Sequence, residues 1–285
     1  MRNIFTVDVE DYFHPTEVQS RIGRDGWSRH PSRVEAATGA VLELLAAAGA
    51  RATFFVLGWV AWRFPSLVRR IAEAGHEIGC HSFSHLLVYD LSPEEFRRDT
   101  ERAVRALEDA CGRRPRVYRA PSFSITAKSS WAIEILVQCG FTHDSSIYPV
   151  VHDRYGIPGS RRHAHLIQTP SGEVIEVPVA TARLSSWAIA PVGGGGYLRM
   201  LPYRYTAAGL RRINEVEREP ACVYLHPWEL DPDQPRLLGS GPRGWRTYYG
   251  LGGMLAKLRR LLGDFRFDTL TAVHPAAGAC WGARG

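Results

Sequence analysis

Residues 52–85 read ATFFVLGWVAWRFPSLVRRIAEAGHEIGCHSFSH. The apolar, β-branched run at 52–57 (ATFFVL) predicts a buried strand. Residues 65–74 predict a helix that starts at Pro65 and is stopped by Gly75. Residues 76–80 (HEIGC) predict a second short strand, which leads directly into His81. Strand, helix, strand in one continuous stretch is the unit from which parallel β/α folds are built.

The same alternation extends to both sides. Residues 3–9 (NIFTVDV) form an apolar strand whose far end turns acidic, and residues 33–48 form an Ala- and Leu-rich helix ahead of Gly49. Ser92-Pro93-Glu94-Glu95 carries Ser at the N-cap, Pro at the first helical position and Glu at the third, so a helix is expected from there to about residue 110. A strand at 116–119 (RVYR), a helix at 127–139 and a strand at 141–145 follow. Chemically capable residues lie just past these strands, and parallel β/α folds gather their sites at the C-terminal strand ends. Beyond residue 150 the pattern loosens. Strands are expected at 174–179, 186–190, 221–225 (ACVYL) and 265–269, and helices at 205–217 and 251–262. Gly193–Gly196 predicts a turn. The segment 271–285 has no period and is expected to be a disordered tail. No internal repeat is visible.

Composition narrows the function classes. The chain has 285 residues, 45% hydrophobic and 22% charged, enough for a sizeable core. Its formal charge of +6 is spread over many arginines with no basic block. That favours a solvated basic face or attraction to acidic polymers over nucleic-acid binding. Five cysteines without CxxC spacing argue against a disulfide framework and a structural zinc site. No signal peptide and no apolar run long enough to span a membrane are visible, so a cytoplasmic protein is expected.

Four clusters carry chemistry. Asp8-Val9-Glu10-Asp11 places three carboxylates at a strand end, where a cation or a proton relieves their repulsion; a helix N-cap or exposed loop is the plainer alternative. His81-Ser82-Phe83-Ser84-His85 puts two histidines at i and i+4, which face one way on a helical turn and together bind one metal; two core or surface histidines are the alternative. One carboxylate with two histidines is the ligand set of an open catalytic metal site. Arg119-Ala120-Pro121 follows the strand at 116–119, and an arginine there suits a bidentate pair with a carboxylate. His226 follows the strand at 221–225, as a general acid or a satisfied structural histidine.

In this order the motifs resemble the polysaccharide deacetylase family, the NodB-homology domain of carbohydrate esterases. Asp8 to Asp11 resembles the first motif, His81 to His85 the HSxxH motif, and Arg119 to Pro121 the RxP motif. Asp144 to Pro149 (DSSIYP) resembles the fourth motif and Leu225-His226 the fifth. DVEDYFH, GGGGYLR and LHPWELDP further resemble the subgroup associated with exopolysaccharide gene clusters and the exosortase/PEP-CTERM system. The resemblance spans roughly residues 3 to 270. It implies a distorted (β/α) barrel of about seven parallel strands, as a single domain over 1–270 with a C-terminal extension from about residue 228.

The resemblance also implies N-deacetylation of sugars in an N-acetylated polysaccharide or oligosaccharide, in exopolysaccharide biosynthesis. A divalent metal, Zn2+ in first place, would sit on His81, His85 and one carboxylate. Val9 occupies the place of the family's usual second Asp, which leaves Glu10 or Asp11 as that carboxylate, Glu10 being favoured. Asp8 is implied as general base, His226 as general acid, Arg119 as the residue orienting Asp8, and Asp144 as support for that network. A backbone N–H near Ser122 or Phe123 is implied as an oxyanion donor. Phe123, Tyr148, Trp187 and Trp228 are candidates to line a sugar groove, or else pack the core. Gly193 to Arg199 reads as a loop at the rim of the site, with Arg199 toward the cleft, or as a flexible hairpin tip. Two rival readings are a same-fold hydrolase of cyclic amides and a non-catalytic carbohydrate-binding protein.

Overall fold

The computed structural model describes residues 1–152, 154–185 and 188–276. At its centre lies β1 (Arg2–Val9), buried from Asn3 onward. Burial on both faces explains why NIFTVDV reads as a continuous apolar run rather than an alternation. The other strands are β2 (Thr53–Val56), β3 (Glu77–Cys80), β4 (Val117–Tyr118), β5 (His143–Asp144), β6 (His165–Thr169), β7 (Gly172–Glu176), β8 (Thr181–Arg183), β9 (Ile189–Pro191), β10 (Cys222–Leu225) and β11 (Arg266–Asp268). They form one sheet in the order β10-β1-β2-β3-β4-β5-β7-β6, with β11 on the first half of β1 and β8–β9 as a separate antiparallel pair.

The chain is an α/β fold with a mostly parallel sheet. Eight described strands run parallel to a neighbour, against an expectation of about seven, and β6 alone in this sheet pairs antiparallel, with β7. No ladder joins β6 to β10 among the described residues. Helix Val34–Ala47 connects β1 to β2, helices Gly58–Arg63 and Pro65–Glu73 connect β2 to β3, and Pro93–Cys111 connects β3 to β4. The last begins with the capping box expected at Ser92 and Glu95.

Three expectations change. Gly193–Gly196 is not a simple turn: helix Gly195–Met200 begins inside it, and Gly194 bridges to Tyr224 of β10. A Cβ on Gly194 would lie 1.9 Å from the Tyr224 carbonyl oxygen at a φ of +128°, so glycine is required by close backbone approach rather than by flexibility. Residues 205–217 form helix Tyr203–Arg211 followed by a wider π-type turn over Arg212–Glu217. The expected tail starts too early: Leu270–Val273 is a helix with Leu270 fully buried, whereas 277–285 lie outside the described residues. Of the strand expected at 186–190, Ser186 and Trp187 also lie outside them.

Register builds the site. Val9 pairs with Val56, Val56 with Cys80, Cys80 with Tyr118, and Tyr118 with Asp144. The next residue on each strand therefore lies in one layer at the C-terminal edge: Glu10, Leu57, His81, Arg119 and Ser145. Val7 pairs with Leu225, which sets His226 level with Asp8.

Candidate active site

Asp8 and Glu10 are two residues apart in extended chain, so both point to the same side of the sheet. Both line a cavity of about 450 Å³ together with His85, Ser122, Phe123, Tyr224, His226 and Trp228.

Glu10, His81 and His85 are buried and bring one donor atom each to within 4.8 Å of one another. Glu10 Oε1 lies 3.0 Å from His81 Nε2 and 2.9 Å from His85 Nε2. His81 Nδ1–H donates to the Arg119 carbonyl at 2.8 Å. That bond directs the Nε2 lone pair at a carboxylate oxygen, an arrangement that needs a proton or a cation between the two atoms. A divalent metal fits: donors about 2.0–2.1 Å from a tetrahedral Zn2+ are about 3.3 Å apart. Burial pushes the Glu10 carboxyl up, but the His85 and His226 charges and the histidine hydrogen bonds prevail and hold it well below its usual range. Gln19 Nε2 reaches both His85 Nδ1 at 2.9 Å and the His14 carbonyl at 2.5 Å. Metal on His85 Nε2 would require its Nδ1 to carry the proton and the Gln19 amide oxygen to turn toward it.

The two histidines do not sit on a helical turn. Ser82 and His85 adopt left-handed φ values of 65° and 50°, and the segment is a loop. Asp99, from helix Pro93–Cys111, accepts from Ser82 Oγ (2.6 Å), Phe83 N–H (2.8 Å) and Ser84 N–H (3.2 Å). These bonds hold backbone that costs on the order of 1–3 kcal/mol per strained residue. Nothing in the HxxxH spacing pointed to Asp99.

Arg119 is fully buried. Its Nη1 donates to Asp8 Oδ1 at 2.8 Å and Thr6 Oγ1 at 2.7 Å; Nε and Nη2 donate to the Ser145 carbonyl (3.1 Å) and hydroxyl (2.8 Å). The direct support for Arg119 is thus Ser145, not its neighbour Asp144. Asp144 instead faces Glu176 across the β5–β7 pair. Asp144 Oδ2 and Glu176 Oε2 are buried with no other partner, burial lifts Asp144 to about 6, and burial followed by the Asp144 charge lifts Glu176 well above the usual range. A proton shared between the two carboxyls would supply the partner that both oxygens lack.

His226 donates its backbone N–H to Glu229 Oε2 at 3.1 Å, with its Nδ1 3.4 Å from the same oxygen. Trp228 stacks on the ring at 5.1 Å between centroids. Burial pushes the imidazole down, but Glu10, Glu229 and Asp8 outweigh it and raise it to about 9. Glu229 is in turn held by Arg199 Nε at 2.9 Å; burial is more than offset by His226 and Arg199, which lower it to about 2. Arg199 lines the cavity but is buried, with Nη1 donating to the Arg246 and Tyr249 carbonyls. Its guanidinium fixes Glu229 rather than standing open to a ligand. The role of Glu229 was not read from the sequence, although it lies in the LHPWELDP segment.

The remaining candidates separate. Asp11 turns away from the histidines and accepts from Ser32 Oγ and from the Arg33 and Val34 N–H groups, capping the start of helix Val34–Ala47. Phe123 lines the cavity at a left-handed φ of 53°, and its N–H donates to the Ala120 carbonyl. Tyr148 is fully buried against Phe123 and Tyr155 and does not line the cavity. Trp187 lies outside the described residues.

Comparison with known proteins covers two stretches of the chain. Residues 25–143 match the family model described as Polysaccharide deacetylase. This part of the chain thus resembles the polysaccharide deacetylases. Residues 145–274 match a domain of unknown function, DUF3473. Among curated relatives, a peptidoglycan-N-acetylglucosamine deacetylase of Bacillus cereus is 35% identical over 33% of this chain and 34% of its own length. A chitooligosaccharide deacetylase of Azorhizobium caulinodans is 38% identical over 38% of this chain and 47% of its own. The chain thus matches between a third and a half of the length of these two relatives. In fold it resembles a Mycobacterium smegmatis crystal structure provisionally described as a polysaccharide deacetylase (TM-score 0.58, 18% identity, 91% of each chain). It also resembles Puue allantoinase (TM-score 0.61, 15% identity, 96% of this chain and 91% of the other).

Proposed function

We propose that this chain is a divalent-metal-dependent N-deacetylase of N-acetylated oligo- or polysaccharides. The observation that carries this reading is the buried Glu10–His81–His85 cluster, which shares one cavity with Asp8 and His226. A cation held by these three donors would polarise the acetamido carbonyl and acidify a bound water. Asp8, anchored by Arg119, is positioned to accept the proton of the attacking water. Ser122, lining the cavity at a φ of 51°, offers the backbone N–H for the oxyanion, since that of Phe123 is engaged with Ala120. His226, protonated at neutral pH and held by Glu229, delivers a proton to the departing sugar amine. Trp228 and Phe123 supply the aromatic walls. The reaction gives acetate and a free amino sugar.

The sheet is shared by both halves of the chain, which supports reading residues 1–270 as one domain. The DVEDYFH, GGGGYLR and LHPWELDP segments support placement in the exopolysaccharide-associated subgroup, with Zn2+ as the metal. The allantoinase likeness lies in the fold alone and does not favour a cyclic-amide substrate.

The test is acetate release from N-acetylated chitooligosaccharides by purified protein. Treatment with a strong chelator, verified by metal analysis, is expected to abolish release, and Zn2+ to restore it. Undiminished release from metal-free protein would overturn the mechanism.

A further inference from the structure

His81 and His85 stand in one cluster, but different parts of the chain hold their outer ring nitrogens. His81 Nδ1 meets the carbonyl of Arg119, just past a strand of the sheet. His85 Nδ1 lies 2.9 Å from Gln19 Nε2, on the helix Thr16–Ile22. That helix was not among the residues that motif order singled out.

The helix is short, yet its side chains tie it down on several sides. Val18 is buried in the main core. Thr16 Oγ1 lies 2.9 Å from Ser122 Oγ, and Glu17 Oε1 accepts from Arg154 Nη2 at 2.6 Å. Just past the helix, Arg24 Nε donates to the Ser84 carbonyl at 2.8 Å. The segment therefore grips the His81–His85 loop at two points, in addition to the three bonds from Asp99. Gln19 Nε2 also donates to the His14 carbonyl at 2.5 Å, so its amide is held in place before it meets the ring.

An imidazole that ligates through Nε2 carries its proton on Nδ1. The acceptor of that proton sets the ring plane and raises the basicity of the ligating nitrogen. The two rings have different kinds of partner. A carbonyl only accepts, so Arg119 admits a single tautomer of His81. An amide both donates and accepts, so Gln19 suits either tautomer of His85. With the proton on Nδ1 its oxygen faces the ring, at the expense of the bond to the His14 carbonyl.

We propose that Gln19 is a positioning residue for His85: its amide oxygen accepts the Nδ1 proton and aims Nε2 at a cation shared with Glu10 and His81. This rests on the metal part of the deacetylase reading and not on the substrate.

The test is competitive zinc titration of metal-free protein with no substrate present. Gln19→Met keeps the length and removes the acceptor, and should weaken zinc binding by roughly 10–100-fold. Gln19→Glu keeps an acceptor and loses the donor, and should bind zinc within about threefold of wild type or more tightly. Gln19 is half-buried on a surface helix, and urea unfolding checks that the variants fold; Gln19→Ala takes the place of a Met variant that does not. Nitrogen-15 spectra of zinc-loaded protein with labelled histidine should show His85 protonated at Nδ1. That proton should exchange with water faster in Gln19→Met and remain protected in Gln19→Glu.

Unchanged zinc affinity in Gln19→Met overturns the proposal. So does an equal loss in the Met and Glu variants, which would leave Gln19 only as a donor to the His14 carbonyl. Acetate release is assayed separately. The expected order of zinc affinities without release from any N-acetylated probe would sink the deacetylase reading and leave Gln19 in its role. Zinc-dependent release with unchanged affinity in Gln19→Met would do the reverse, and wild-type protein that binds no zinc would sink both.

Discussion

Asp8, in β1, and Glu10, just past its end, point to one side, and their partners divide the work between them. Glu10 meets two imidazole nitrogens, whereas Asp8 meets a guanidinium. His81→Ala is therefore expected to abolish stoichiometric metal, whereas Asp8→Asn should keep it and lower kcat by roughly 10²–10⁴-fold, the range for a lost general base. Metal content by mass spectrometry with acetate release decides this, and metal-free Asp8→Asn protein would reverse the assignment of the acids. His226 supplies the second residue-scale prediction. Its imidazole is raised to about 9 partly by Glu229, so the acid form persists through neutral pH and disappears as pH rises through that value. Glu229→Gln removes a negative charge beside it, lowers its pKa, and should move the alkaline limb of kcat/KM to lower pH. An unmoved limb would remove His226 from the role of acid. Asp8, Glu10, His81, Arg119 and His226 could all be named as candidates from motif order. Arg199 could be placed at the cavity but not given its partner, because an arginine's long side chain is directed by what it meets in three dimensions.

At the scale of elements, the loop from His81 to His85 shows where spacing alone misleads. Histidines at i and i+4 read as one helical face, yet strained φ values and three bonds to Asp99 achieve the convergence instead. Asp99→Ala leaves two buried or half-buried N–H groups and a hydroxyl without their acceptor. It should cost about 1–3 kcal/mol of stability and weaken Zn2+ binding by roughly 10–100-fold, as supporting bonds around a metal ligand do. Urea unfolding and competitive zinc titration measure the two; unchanged zinc affinity would mean that the loop holds its shape without Asp99. The β1–β5 half was legible because its strands are buried on both faces and its helices carry clear stops. Of the β6–β7 hairpin, β7 overlaps the strand expected at 174–179, but β6 was not legible: His165–Thr169 (HLIQT) is a half-exposed edge strand without apolar-polar alternation, short enough to pass for loop.

For the whole molecule, the Asp144–Glu176 pair ties stability to pH. The pair sits under Arg119 at the junction of β5 and β7, the seam between the two matched families. In the unfolded chain these carboxyls release their protons near pH 4. In the folded protein burial lifts Asp144 to about 6, and burial with the Asp144 charge lifts Glu176 well above the usual carboxylate range. Between those values the native state binds more protons than the unfolded one, so this pair's contribution to stability falls as pH rises. Glu176→Gln keeps the shape, removes one ionisable partner, and offers an amide N–H to Asp144. The wild-type unfolding free energy minus that of the variant is therefore expected to fall by on the order of 1–3 kcal/mol from about pH 4.5 to 7. Urea unfolding of both proteins across that range gives the difference directly and cancels groups common to both. A flat difference would mean that the two carboxyls do not share a proton, and that the fold tolerates a buried dianion through the charge of Arg119.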